Sequence, residues 1–182
     1  MSENTQVEGF LEAFWARAVT RGKINPLEVI TGGESISAFR PPAFSFGLTS
    51  EEATEIAELI VAGRKTATSS WADSYRAEDV PLPEKGDLAI VLDGEERPRA
   101  LIRTDSVEVM PFTEVSAQIA QAEGEGDCSL ESWRAAHTEF FRAEAAAAGL
   151  EFDPAGDVVV ERFTVLYSDR DDHLGPGAVA GN

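Results

Sequence analysis

The chain is poor in the residues that build common metal and redox centres. Of its 182 residues one is cysteine, Cys128, and two are histidine, His137 and His173. One thiol cannot close an internal disulfide and fits a reducing compartment. So few soft ligands argue against a zinc site of Cys and His. Positive charge is scarce too: 15 Lys and Arg face 33 Asp and Glu, a formal charge of −18. Such a balance opposes extended contact with a phosphate backbone, above all double-stranded DNA, so any nucleic-acid contact is expected to be local. No apolar run reaches the roughly 18 residues of a membrane span, and Met1 to Thr20 lacks the basic start and apolar centre of a signal peptide. No membrane association is expected, and a cytoplasmic location is. The sequence also lacks a phosphate-binding loop, a Gly-x-Gly-x-x-Gly run after a strand, a nucleophile elbow and any internal repeat.

What is present is enough apolar material, 43% of residues, to bury the core of one domain. Phe10, Leu11, Phe14, Trp15 and Ala18 mark one face of an N-terminal helix over Val7 to Thr20. From Gly22 to Pro42 the pattern dissolves into turns. Thr49-Ser50-Glu51-Glu52 has the form of a capping box, and Ala53, Ile56, Ala57 and Ile60 give the helix behind it a buried face. Gly63 supplies a left-handed stop. Leu88 to Leu92 reads as a strand turning at Asp93-Gly94 into a second strand, on which Arg97, Arg99, Leu101 and Arg103 share one face. A helical segment is expected over Thr113 to Ala122. Ser129 caps a long helix with the stripe Leu130, Trp133, His137, Phe140 and Phe141, which stops at Gly149. Val158 to Tyr167 reads as a strand buried on both faces, and Ser168 to Asn182 as a disordered acidic tail. Strands and helices mix without βαβ alternation, which points to an α+β fold.

Two segments carry possible chemistry. In Gly63-Arg64-Lys65-Thr66-Ala67-Thr68-Ser69-Ser70, Lys65 and Thr68 share a face in a helical turn but diverge in a flat strand, so one common site requires a bend. Equally, Arg64 and Lys65 can simply complement the negative end of the preceding helix. The run Glu123-Gly124-Glu125-Gly126-Asp127 is either a solvated linker or a source of a general acid. As a calcium loop it fails, since Arg134 stands at the twelfth position. His137, four residues from Trp133, reads as a core-edge histidine, and the Arg97, Arg99, Arg103 face as either a phosphate-binding rim or a solvated edge.

Taken in order, Phe46-Gly47, the capped helix, Gly63 to Thr68, Pro81-Leu82-Pro83 before Gly86-Asp87, Ile102-Arg103-Thr104, Pro111-Phe112, Glu123 to Asp127, Ser129-Leu130, Trp133-Arg134, His137, Phe140-Phe141 and Glu161-Arg162-Phe163 resemble the longer bacterial proteins of the ASCH domain family. The resemblance runs from about Phe44 to Tyr167. It implies a PUA-like fold, a small β-barrel with surrounding helices, as the domain 44–167, with 1–43 as a helical extension packing on it and 168–182 as the tail. It also implies two kinds of function: an amidohydrolase removing the acyl group from N4-acylcytidine-type nucleosides, or an RNA-binding protein or metal-dependent ribonuclease acting on single-stranded RNA. In the amidohydrolase members a lysine, a threonine three residues on and a distant glutamate form the catalytic set. These map to Lys65, Thr68 and, in preference to Glu123, Glu125. Arg64, Ser69, Arg103, Glu123 and Ser129 are then the expected substrate contacts. No cofactor is implied, apart from a divalent cation if the activity is that of a ribonuclease. The scarcity of basic residues favours the nucleoside over the polymer. Two mechanisms remain open: neutral Lys65 takes the proton of Thr68, or Lys65 stays charged to stabilise the oxyanion while Glu125 is the base.

Overall fold

A computed structural model describes residues 3–22 and 40–172, with side chains for 6–22 and 40–170. Most of the connection expected over Gly22 to Pro42 lies outside the described residues, as do His173 and the rest of the tail. In chain order the elements are helix α1 (Glu3–Arg21), strand β1 (Ala43–Ser45), α2 (Ser50–Val61), β2 (Ala67–Trp71), α3 (Ala72–Ala77), β3 (Leu88–Leu92), β4 (Pro98–Pro111), α4 (Ala117–Glu123), α5 (Leu130–Ala147) and β5 (Asp157–Ser168). Single 3-10 turns follow β4 at Phe112–Glu114 and β5 at Asp169–Asp172. The strands form one mixed sheet in the order β1-β3-β4-β5-β2. β1 runs parallel to β3 and β2 antiparallel to β5. The fold is α+β. Among the described residues no helix is long and apolar enough to cross a membrane.

The chain divides into two compact units that do not follow sequence order. The first comprises 1–61, 88–102 and 165–182. Its core joins Leu11, Phe14, Trp15 and Ala18 of α1 to Ile90, Leu92, Leu101 and Tyr167. Four residues of the apolar face read from the sequence are therefore buried, whereas Phe10, also read as part of it, is exposed. Phe14 packs edge-on against Tyr167 at 5.3 Å between centroids. The capping box closes as its residue types require: Glu52 N donates to Thr49 Oγ1 (3.2 Å) and Glu52 Oε2 accepts from Thr49 N (3.1 Å).

In this unit the arginine face departs from expectation. Asp93 is fully buried, its carboxylate accepts from the amides of Glu95 and Arg97, and Arg97 Nε and Arg99 Nη1 add charged bonds. Burial pushes this carboxyl up, but those amides and the Arg97 charge more than offset it and hold it below its ordinary value. Arg97 also meets Glu95, and Arg99 Nε meets Asp169 at 2.6 Å. Leu101, on the same strand face, is wholly buried. Arg97 and Arg99 thus fold a hairpin around a buried carboxylate. The expected tail also begins too early. β5 continues through the buried Ser168, Asp169 is bonded to Arg99, and a 3-10 turn runs over Asp169–Asp172.

The second unit comprises 62–87 and 103–164. Trp71, Val158 and Val160 of the antiparallel pair β2 and β5 pack with Phe112, Val115, Ile119, Trp133 and Phe141. The helix expected over Thr113 to Ala122 is instead a 3-10 turn and a separate α4, because Val115 and Ser116 adopt extended backbone between them. Ser129 caps α5 by accepting from Ser132 N at 3.1 Å.

If α1 is integral to the first core, Phe14→Ala should lower the free energy of unfolding by about 3–5 kcal/mol in urea titration. A loss below about 1 kcal/mol would mean that the helix is an appendage.

Candidate functional site

Lys65 follows the glycine stop at Gly63 and stands two residues before β2, so its long side chain leaves the backbone before the strand's alternation begins. Only 1% of that side chain is exposed. Its ammonium donates to Glu123 Oε2 at 3.1 Å and to Glu125 Oε1 at 2.6 Å. The two carboxylates differ sharply. Glu123 closes α4 and is 1% exposed, whereas the Glu125 side chain is 35% exposed.

Glu123 is held from every side. Its Oε1 accepts from Ser69 Oγ (2.6 Å) and Trp133 Nε1 (2.8 Å). Its Oε2 meets Lys65 and lies 3.4 Å from His137 Nε2. His137 stacks on Trp133 at 4.1 Å between centroids, and its Nδ1 lies 3.0 Å from the Trp133 carbonyl oxygen. Burial would raise the Glu123 carboxyl, but the Lys65 charge, His137 and the Ser69 hydroxyl together bring it down from 4.5 to about 2. A buried carboxylate this well supplied with donors stays ionised and fixes the ammonium beside it.

The glycines of the acidic run have a steric role here. Gly124 ends α4 in the left-handed region at φ +68°. A Cβ on it would fall 2.5 Å from the carbonyl oxygen of Arg64. Only glycine lets the acidic turn approach the backbone before Lys65 so closely. Thr66 N donates to Ala122 O at 2.7 Å and fastens the same two segments.

The expected residues therefore sort into distinct places. Lys65, Ser69, Glu123 and Glu125 converge. Ser69 and Glu123 were expected to touch substrate, but both are buried and bonded to each other, which leaves Glu125 as the solvent-facing carboxylate. Arg64 is exposed next to Lys65. Ser129 serves as the helix cap, and Arg103 is bonded to its neighbour Asp105 at 3.0 Å. Thr68 lies within β2, where burial alternates, so its side chain faces away from that of Ser69 and stands in register with Glu161 of β5. The role of Trp133 and His137 was missed, since spacing on an apolar stripe reveals packing and not the hydrogen bonds made by its rim. A signal did exist: a buried glutamate demands donors, and these two lie one turn apart. Among the described residues no three His, Cys, Asp or Glu side chains are grouped to hold a metal ion.

The depressed carboxyl makes stability depend on acid. A folded-state value below the unfolded one contributes stability above about 4.5, on the order of 3 kcal/mol, and loses it as pH falls towards about 2. Wild type should therefore exceed Glu123→Gln in urea unfolding by roughly that amount near neutrality, and the gap should close between about pH 4.5 and about pH 2. A gap that stays constant over this range would show that Glu123 is not the linked group.

A family model described as the ASCH domain matches residues 42–167. Among solved structures, an ASCH domain from Lactobacillus crispatus JV V101 is 28% identical with a TM-score of 0.76, over 87% of this chain and 95% of its own. A protein from Enterococcus faecalis V583 is 32% identical, also with a TM-score of 0.76, over 96% of this chain and 98% of its own. No curated protein matches. A motif series that ends on a shared PUA-like fold, with the family model spanning well over half of the sequence, places this chain in the ASCH domain family.

Proposed function

We propose that the chain is an amidohydrolase that removes the acyl group from N4-acylcytidine-type nucleosides. The observation that carries this reading is the Lys65 ammonium, clamped between one buried and one half-exposed carboxylate. Amide hydrolysis needs a base for the attacking water, a positive charge for the oxyanion and a proton for the departing nitrogen. Glu125 is the base. It takes a proton from water, and the hydroxide adds to the acyl carbonyl. Protonation neutralises Glu125 and loosens its hold on Lys65, so the ammonium, still paired with Glu123, can turn a donor to the oxyanion forming beside it. The same proton then passes to N4 as the C–N bond breaks, releasing cytidine and a carboxylic acid. Thr68, on the other strand face from Ser69, orients the ligand, and water is the nucleophile. The solvent-facing Arg64 borders the ligand.

The electrostatics favour a small ligand over an RNA strand. Arg97, Arg99 and Arg103 each engage carboxylates of their own unit, so of the positive charge concentrated in the sequence the arginine face is already engaged, which leaves Arg64 beside Lys65. A nucleoside requires only a few placed polar groups.

The test is release of acetate from N4-acetylcytidine. Glu125→Gln and Lys65→Met should each lower kcat by at least about 100-fold. Lys65→Arg keeps the charge and should retain measurable turnover. Thr68→Ala should be impaired but active. An inactive wild type, or full activity in Lys65→Met and Glu125→Gln, would refute the assignment.

A further inference from the structure

Trp71 and Trp133 are both buried in the core of the second unit, and they use their indole nitrogens differently. Trp71 Nε1 has no hydrogen-bond partner among the described residues, as suits a ring that serves the core by its volume. Trp133 Nε1 donates to Glu123 Oε1 at 2.8 Å, and its neighbours fix the ring in that aim. It stacks on His137 at 4.1 Å between centroids and meets Phe112 at 5.3 Å. His137 Nδ1 faces the Trp133 carbonyl oxygen at 3.0 Å, and because a carbonyl only accepts, that nitrogen carries the proton.

Two carboxylates compete for the Lys65 ammonium. Attraction between opposite charges grows as water is removed, so the buried Glu123 should hold it the more closely. The reverse is observed: 3.1 Å to Glu123 Oε2 against 2.6 Å to Glu125 Oε1, on a side chain that is 35% exposed. The other oxygen of Glu123 accounts for this. Oε1 accepts from Ser69 Oγ at 2.6 Å and from Trp133 Nε1 at 2.8 Å, which fills both of its lone pairs and fixes the plane of the carboxylate. Only Oε2 is left for the ammonium, and it also faces His137 Nε2 at 3.4 Å.

We propose that Trp133 and Ser69 are positioning residues of this site: by occupying Oε1 of Glu123 they keep the Lys65 ammonium drawn out to Glu125, where it can meet a reacting group. His137 holds the indole in place. With either donor removed, Oε1 has an open lone pair in a buried position, which is costly. The ammonium, already bonded to the same carboxylate, shifts to fill it, and Glu125 loses its partner. The kinetic consequence rests on the amidohydrolase reading above. An ammonium displaced by about 1 Å no longer meets the oxyanion, while the groups that bind the ligand stay where they were, so kcat falls and KM does not change.

The chain has three lysines, Lys23, Lys65 and Lys85, so the side-chain nitrogen NMR signal of Lys65 can be assigned in lysine-labelled protein by its loss in Lys65→Arg. The experiment records that signal, the kinetics of N4-acetylcytidine hydrolysis and urea unfolding for wild type, Trp133→Phe, Ser69→Ala and the control Trp71→Phe. The Lys65 signal should move in Trp133→Phe and in Ser69→Ala. Adding Glu125→Gln should move it in the wild-type background but little in either variant, because the ammonium no longer rests on Glu125. In both variants kcat should fall about 10- to 100-fold with KM within about threefold of wild type. Trp71→Phe removes an N–H that bonds nothing among the described residues, and should change stability while keeping the wild-type signal and kcat. Ser69→Ala decides the matter if Trp133→Phe does not fold. A Lys65 signal that stays in place, a response to Glu125→Gln as large as in wild type, an unchanged kcat, or a kcat lowered as much in Trp71→Phe would each overturn the proposal. If wild type does not hydrolyse N4-acetylcytidine while the Lys65 signal behaves as expected, the amidohydrolase reading falls and the positioning role stands.

Discussion

The candidate site depends on one buried ion pair, Lys65 with Glu123. Two charges removed from water cost several kcal/mol each, and their attraction compensates only when the remaining hydrogen-bonding capacity is filled. Ser69, Trp133 and His137 fill it around Glu123. Four segments are thereby held together: the turn before β2, β2 itself, the end of α4 and the first turns of α5. The consequence for chemistry is asymmetry. One carboxylate is locked and stays ionised until the pH falls to about 2, while the other, Glu125, meets solvent and rests on the same ammonium.

Glycine makes the arrangement possible, and the acidic run looks different once that is understood. A run of alternating Glu and Gly reads as flexible, yet Gly124 is pressed against the Arg64 carbonyl in a conformation that a side chain would forbid. The alternation places one glutamate inside and the next outside. Edge strand β2 makes a comparable division across its two faces: Ser69 turns to Glu123, and Thr68 turns to Glu161. The lysine escapes that alternation because it precedes the strand.

Much of the fold was legible because local rules and tertiary packing agree. The Thr49–Glu52 box, the face of α1, the cap at Ser129 and the strand over 88–92 all formed where periodicity and capping chemistry put them. The site was legible only in part. Lys65 and the acidic run were visible as motifs, but the choice between Glu123 and Glu125 turns on burial, a property of the assembled helices. The arginine face misled for a related reason: alternation shows which residues share a side, but cannot show that Asp93 and Asp169 arrive to neutralise them. Nor could the sequence pair Thr68 with Glu161, since that register belongs to strands some ninety residues apart.

The most direct test of this account is a double-mutant cycle on the central pair, with unfolding free energies measured for wild type, Lys65→Met, Glu123→Gln and the double variant. If the ion pair organises the site, each single change strands a buried partner at a cost of about 3–5 kcal/mol, and the double variant recovers more than about 1 kcal/mol of the sum. Effects that add to within about 0.5 kcal/mol would show that Lys65 and Glu123 are neighbours without being partners, and would contradict the account.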